Sequence, residues 1–258
     1  MSQWVSTRTE GNVCVITIDN PPVNAFHPRV AETLIEAFDE LSRRQPKPRA
    51  VVLTGAGRAF MAGGDIRFFQ TLDETSAERY ARRIQICQEI ILHFESPVIA
   101  ALNGSALGGG CELMMACDIR IAAEDAVFGQ PEVTLGVIPG AGGTQNLPRL
   151  VPIGTAKKLL FTGDRISAAE ALRIGLIDQV VPTGAVMDAA MALANRIAKN
   201  APLAVAAAKH AVNLGVELNL SEALRLEARL LGELFRSQDV KEGIAAFIEK
   251  RPADFQGK

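Results

Sequence analysis

The chain has 258 residues, 48% of them hydrophobic and 22% charged, with a formal net charge of -2 and a sequence pI near 6.0. This composition excludes a disordered chain and provides for a sizeable core, in one large domain or in one domain with an appendage. With no basic excess, bulk electrostatic attraction to nucleic acid or to anionic membrane is also excluded.

The opening MSQWVSTRTEGN has neither the apolar stretch of a secretory signal nor the Arg-rich amphipathic character of a transit peptide. No later window approaches about eighteen uncharged apolar residues, so the expectation is a soluble, cytoplasmic protein with no membrane partner. Cys14, Cys87, Cys111 and Cys117 form no CxxC pair and lie in apolar segments, as core thiols in a reducing compartment do.

Up to about residue 180, short β-rich runs alternate with helical patterns. Val13–Ile18, Ala50–Gly55, Val98–Leu102, Ile119–Ala123 and Leu176–Val181 read as strands. Behind Pro28, a good first-turn residue, Val30, Leu34, Phe38 and Leu41 fall at helical spacing, and Tyr80, Ile84, Cys87, Ile91 and Phe94 do the same. Such alternation predicts an α/β fold with crossover connections. After Pro182 and Gly184 the pattern is almost wholly helical: a helix over AVMDAAMALANRIAKNA, another from Pro202, and a third loaded with Leu218, Leu220, Leu224, Leu230, Leu231 and Leu234. DVKE at Asp239 reads as a capping box before the last helix. This divides the chain into an α/β core, 1–183, and a helical region, 184–258. The helical region is a subunit-contact module or a lid over its own core.

Chemistry concentrates in three loops. In GAGRAFMAGGDI the glycines Gly63 and Gly64 precede Asp65, a plausible N-cap, and on this loop alone a turn requiring positive φ explains them. In ALGGGCELMMACD, Gly108, Gly109 and Gly110 lead from a strand into a helix that carries one glutamate, Glu112, in an apolar run. The loop has no GK[ST] ending and does not match G-x-G-x-x-G, so a phosphate cradle is a weak reading. Two glycine-paired loops of this kind can bring two backbone N–H donors to one oxygen. That is an oxyanion hole, suited to a carbonyl becoming an enolate. The third loop, GQPEVTLGVIPGAGGTQ, offers Glu132 as a second acid or base. Each carboxylate also has a plainer reading, Glu112 as a first-turn partner of the helix dipole and Glu132 as an exposed loop residue. Gly140, Gly142 and Gly143 read as a turn entering a helix at Thr144.

AFMAGGDI, NGSALGGGCELMMACDI, FGQPEVTLGVIPGAGGTQNLPRLVP and TGDRISAAEALRIGLIDQVVP resemble, in order, successive blocks of the crotonase superfamily, and within it the enoyl-CoA hydratases. The similarity runs from NPPVNA at Asn20 to AFIEKRP. The resemblance implies a spiral of ββα units with C-terminal helices that build a homotrimer, often paired into a hexamer. It also implies an acyl-CoA thioester substrate, with coenzyme A as part of the substrate and neither a cofactor nor a metal.

By the same resemblance, the Gly64 and Gly109 amides form the oxyanion hole, and Glu112 and Glu132 act at the C2=C3 double bond to add water to a trans-2-enoyl-CoA in acyl-CoA degradation. Ala62, Asp65 and Ile66 line the substrate site, IRFFQTL and VTLGVIP line the acyl pocket, and Phe247 and Lys250 reach a neighbouring subunit's site. Asp65 retains its helix-cap reading and Lys250 that of a solvated cation. Family members that act only as isomerases or dehalogenases commonly lack one glutamate of the pair, and this chain keeps both. Met61 stands where the family often has Cys or Ser, and Gly64 where it commonly has Ala. The alternatives are a double-bond isomerase or carbon–carbon lyase on the same scaffold, and a non-catalytic RNA-binding relative. The last would need a basic stripe, for which Arg43–Arg49 is the longest local cluster. His27, His93 and His210 form no ligand spacing and read as structural or exposed.

Overall fold

The structure, a computed structural model, describes residues 4–258. Met1, Ser2 and Gln3, on which part of the leader reading falls, lie outside the described residues. The strands are β1 (Val5–Glu10), β2 (Val13–Ile18), β3 (Ala50–Gly55), β4 (Ala59–Ala62), β5 (Val98–Leu102), β6 (Ser105–Leu107), β7 (Ile119–Ala123), β8 (Val127–Gly129), β9 (Arg165–Ser167) and β10 (Gln179–Val181). The helices are α1 (Pro28–Arg43), α2 (Ile66–Phe69), α3 (Glu74–His93), α4 (Gly109–Met115), α5 (Gly143–Leu150), α6 (Ile153–Thr162), α7 (Ala168–Arg173), α8 (Val186–Ala198), α9 (Pro202–Gly215), α10 (Leu220–Leu234) and α11 (Gln238–Glu249), with a 3-10 turn at Pro131–Leu135.

The strands form two sheets, ordered β1-β2-β3-β5-β7-β10 and β4-β6-β8-β9. In three successive repeats the first strand joins the large sheet, the second joins the small one and a helical segment follows: β3 and β4, β5 and β6, β7 and β8. Pairing from β2 through β10 in the large sheet is parallel, and only the edge strand β1 runs antiparallel. Central strands of such a sheet are covered on both faces and read as apolar runs rather than alternating ones, and β3 and β5 are buried at every residue, whereas the edge strand β1 is largely exposed.

Four of the five predicted strands have the predicted limits. The fifth is shorter: Leu176 and Ile177 are buried after α7 in irregular backbone, and the strand begins at Gln179. Asp178 there accepts from Arg120 N at 2.8 Å through its side chain and donates its own N–H to Arg120 O at 2.9 Å, so a carboxylate completes the pairing at the strand entry. The capping box predicted at Asp239 is replaced by a cap at Ser237, whose hydroxyl accepts from Val240 N. Asp239 itself is buried and accepts from Gln256 N and Gly257 N, fastening the chain's last residues.

Beyond residue 183 the helices differ in kind. α8 packs on β2, β3, β5 and β7, and Val186, Ala190, Ala194 and Ala198 belong to the main core. α9 buries no residue and α10 buries only Leu226. Val212, Val216, Leu220, Leu224, Leu231, Phe247 and Ile248 are all exposed. Within the chain, α9 is fastened by polar contacts: Lys209 Nζ lies 2.7 Å from Asp118 Oδ2, both largely buried, and Asn213 Nδ2 donates to Leu92 O. No helix of the described residues is long and apolar enough to cross a membrane. All four cysteines are buried and unpaired. Three of the four charges of the Arg43–Arg49 cluster are locally matched, Arg43 with Asp39, Arg44 with Glu40 and Lys47 with Glu95, and Arg49 donates to the Ala198 and Phe255 carbonyls.

Candidate active site

The small sheet assembles the site. β4 pairs in parallel with β6, Ala62 opposite Leu107, so the loops that follow these two strands emerge side by side. Gly63, at φ 99°, and Gly108, at φ 50°, hold backbone conformations that side chains rarely adopt. The loops touch: a Cβ on Gly108 would stand 3.6 Å from the Gly63 Cα. Gly110 is required for the same closeness, since a Cβ there would come within 2.0 Å of the Met61 carbonyl oxygen. Among the described residues, neither the Gly64 nor the Gly109 N–H has a hydrogen-bond acceptor. Gly109 is the first residue of α4, where the N–H has no partner within the helix.

Both amides open on one cavity of about 790 Å³, whose wall also carries Glu112 and Glu132. Glu112 stands in the first turn of α4 and is only 3% exposed. Its Oε1 accepts from Ala141 N and from Gly143 N, each at 2.8 Å. Burial pushes its carboxyl up to about 7; the Gly143 and Ala141 amides oppose that shift, and the charge of Glu132 adds to it. Glu132 comes from the 3-10 turn and lies over Gly108, where a Cβ would meet its Oε1 at 2.6 Å. Burial raises its carboxyl to about 7 as well. Two carboxyl groups of this kind titrate as a pair, and near neutral pH they share a proton.

The Gly140–Gly143 segment is the turn that the sequence suggests, entering its helix at Gly143, one residue before the expected Thr144. It has a further role that residue types alone did not disclose, since its amides hold Glu112. A Cβ on Gly143 would stand 3.0 Å from the Glu112 carboxylate. Gln130 was likewise missed. It is buried, and with its carboxamide turned so that Nε2 faces Glu132 it donates to both carboxylate oxygens at 3.2 Å.

Of the other expected residues, Ala62 and Ile66 line the cavity. Asp65 is the N-cap of α2, accepting from Arg67 N and Phe68 N, as its plainer reading has it. Phe69 lines the cavity with its ring over Gly64, where an added Cβ would meet its Cζ at 2.7 Å. The glycine that stands in place of alanine therefore admits this ring. Phe68 turns away to His27 and Tyr80. Tyr80, missed from the sequence as anything but an apolar position, lines the cavity and donates its hydroxyl to Phe26 O at 2.6 Å. From IRFFQTL and VTLGVIP the cavity takes Ile66, Phe69, Gln70 and Leu72, and Leu135, Val137 and Ile138. Phe247, 86% exposed, and Lys250 are not among its lining residues. His27 caps α1 through Nδ1.

The chain matches the family described as enoyl-CoA hydratase/isomerase over residues 8–258. It is 44% identical to the short-chain-enoyl-CoA hydratase of Clostridium acetobutylicum, covering 96% of this chain and 95% of the relative. Its identity to the crotonyl-CoA hydratase of Syntrophomonas wolfei is 45%, over 96% of each. Among solved structures, an enoyl-CoA hydratase from Bacillus anthracis superposes with a TM-score of 0.96 at 39% identity, covering 99% of this chain and 100% of that one. The alternating assignment of strands to two sheets is thus the crotonase-type spiral, and the chain belongs to the enoyl-CoA hydratase/isomerase family.

Proposed function

We propose that this protein adds water across the C2=C3 bond of a trans-2-enoyl-CoA to give the 3-hydroxyacyl-CoA. The observation that carries the reading is the meeting, in one cavity, of two amides without an acceptor among the described residues and two carboxyl groups, Glu112 buried and Glu132 half-buried, both raised to about 7. The Gly64 and Gly109 N–H groups receive the thioester oxygen and polarise the conjugated double bond, so that C3 becomes electrophilic. They then stabilise the enolate formed when water attacks; removing one such donor typically costs about 2.7–4 kcal/mol. Glu112 and Glu132 grip the water between them. The ionised member takes a proton from the water as its oxygen bonds to C3, and the protonated member delivers one to C2, leaving the pair one proton richer and one poorer in exchange. Coenzyme A enters as part of the substrate, and this chemistry calls on no further cofactor or metal.

Phe69 over Gly64, with Leu72, Tyr80 and Ile84 on the same cavity wall, bounds the space beside the oxyanion amides and favours a short acyl group. The exposed apolar faces of α9, α10 and α11 support assembly as a trimer or as a hexamer of paired trimers. In that assembly Phe247 and Lys250, outside this chain's own cavity, serve a neighbour's site. Incubation with crotonyl-CoA tests the activity: the conjugated thioester absorbance should fall and the product should gain the mass of one water. A product of unchanged mass would indicate isomerisation, and a cleaved acyl chain a lyase.

A further inference from the structure

Helix α3 turns one stripe, Ala81, Gln85 and Gln88, toward the segment Gly140–Gly142, at the spacing that places residues on one helical face. Gln85 Nε2 donates to the Gly140 carbonyl at 2.8 Å. The amide is oriented from its other end, because Arg82 Nη1 donates to Gln85 Oε1 at 2.6 Å. Ala81 and Gln88 fit against the same segment: a Cβ on Gly140 would lie 3.5 Å from that of Ala81, and one on Gly142 3.0 Å from Gln88 Oε1. The next amides along the turn, those of Ala141 and Gly143, are the two that Glu112 accepts. With glycine at three of its four positions and Gly142 at φ 98°, the turn has little stiffness of its own, so its aim is set from outside.

We propose that Gln85 is a positioning residue for Glu112: by holding the Gly140 carbonyl it fixes the turn that presents the Ala141 and Gly143 amides to the carboxylate. Helix α3 also walls the cavity with Ala77, Tyr80 and Ile84, so one helix both seats the acyl group and aims the acid-base group. The inference rests on reading Glu112 as a proton-transfer residue.

Two amide donors favour the ionised carboxyl and oppose the effect of burial, so slackening the turn moves the Glu112 midpoint upward. The titratable groups facing Glu112 are Glu132 from the 3-10 turn, Tyr80 from α3 and the Cys111 thiol beside it. Gln85→Met leaves all of them in place, keeps the side chain's length and adds no charge.

The test follows the carboxyl carbon of Glu112 by NMR in protein labelled with 13C-glutamate, the signal being assigned by its loss in Glu112→Gln. In Gln85→Met the midpoint should rise by about half a unit to one unit, and kcat with crotonyl-CoA should fall about fivefold to tenfold while KM stays within about twofold. Arg82→Ala, an exposed change that spares the fold, should shift the midpoint in the same direction by less. An unmoved midpoint in both variants overturns the proposal, even if Gln85→Met melts at a lower temperature. Normal hydration by Glu112→Gln would instead overturn the reading of Glu112 itself. A dead Glu112→Gln beside an unmoved midpoint removes only the role of Gln85.

Discussion

Burial is the first force on both glutamates, and it makes them costly to the fold as well as useful to the chemistry. A carboxyl group whose folded midpoint is raised holds a proton that the unfolded chain has already released, so its ionisation works against folding as pH climbs from about 4.5 toward 7. Below the unfolded value the penalty is absent; above about 7 it is complete, on the order of 3–4 kcal/mol for Glu112. Glu112→Gln should therefore abolish most turnover while making the protein more stable than wild type at pH 8, with little gain at pH 4.5. Thermal unfolding at the two pH values checks this. Glu132→Gln should lose turnover by about a hundredfold or more as well. Gly109→Pro deletes the other kind of group. Proline is tolerated at a first helical position, although its ring must displace Phe26, whose Cδ1 would stand 3.1 Å from an added Cβ. The variant should lose both turnover and affinity for a non-reactive acyl-CoA in calorimetric titration, whereas Glu112→Gln should keep the affinity. At this scale the sequence singled out Glu112, Glu132, Gly64 and Gly109, which the structure brings to one cavity. Gln130 and the amides of Ala141 and Gly143 were not legible, because what matters there is backbone direction and a side chain's turn, which residue type does not encode.

Elements that bury themselves completely announce it in their residues. β2, β3 and β5 are largely apolar runs of predictable limits, β7 is the same apart from Arg120, and α1 and α3 keep a regular apolar stripe. The strands of the small sheet were not legible: β6, β8 and β9 have three residues each, too few for any period, and they pair only because the larger sheet brings them together. That junction is tight enough to test. Gly110→Ala would press a methyl on the Met61 carbonyl and should destabilise by about 1–3 kcal/mol or more, measurable by urea unfolding. At the other end of the molecule, α9 depends on a buried ion pair. Burial raises the Asp118 carboxyl, and the Lys209 charge opposes that shift. Lys209→Met leaves the largely buried Asp118 with only the Val98 N–H and the Arg120 charge to support its ionised form. The expected cost is about 3–5 kcal/mol, smaller at acid pH where Asp118 takes up a proton.

For the whole molecule, the unburied leucines of α10 and the exposed faces of α9 and α11 are more apolar surface than a lone chain sustains. The sequence showed the excess without deciding between a lid and a contact face. In the structure these helices bury little against their own core, which supports the contact face. Light scattering on a size-exclusion column should therefore report a trimer or a hexamer, and a stable monomer would remove the neighbouring-site role of Phe247 and Lys250.

The central claim, that Glu112 and Glu132 move the protons while the glycine amides hold the thioester, is tested most directly by the rate of crotonyl-CoA hydration in a Glu112→Gln protein that still binds a non-reactive acyl-CoA as the wild type does. A loss of turnover by about a hundredfold or more with binding intact is the expected result. Turnover near the wild-type rate in that protein would contradict the account.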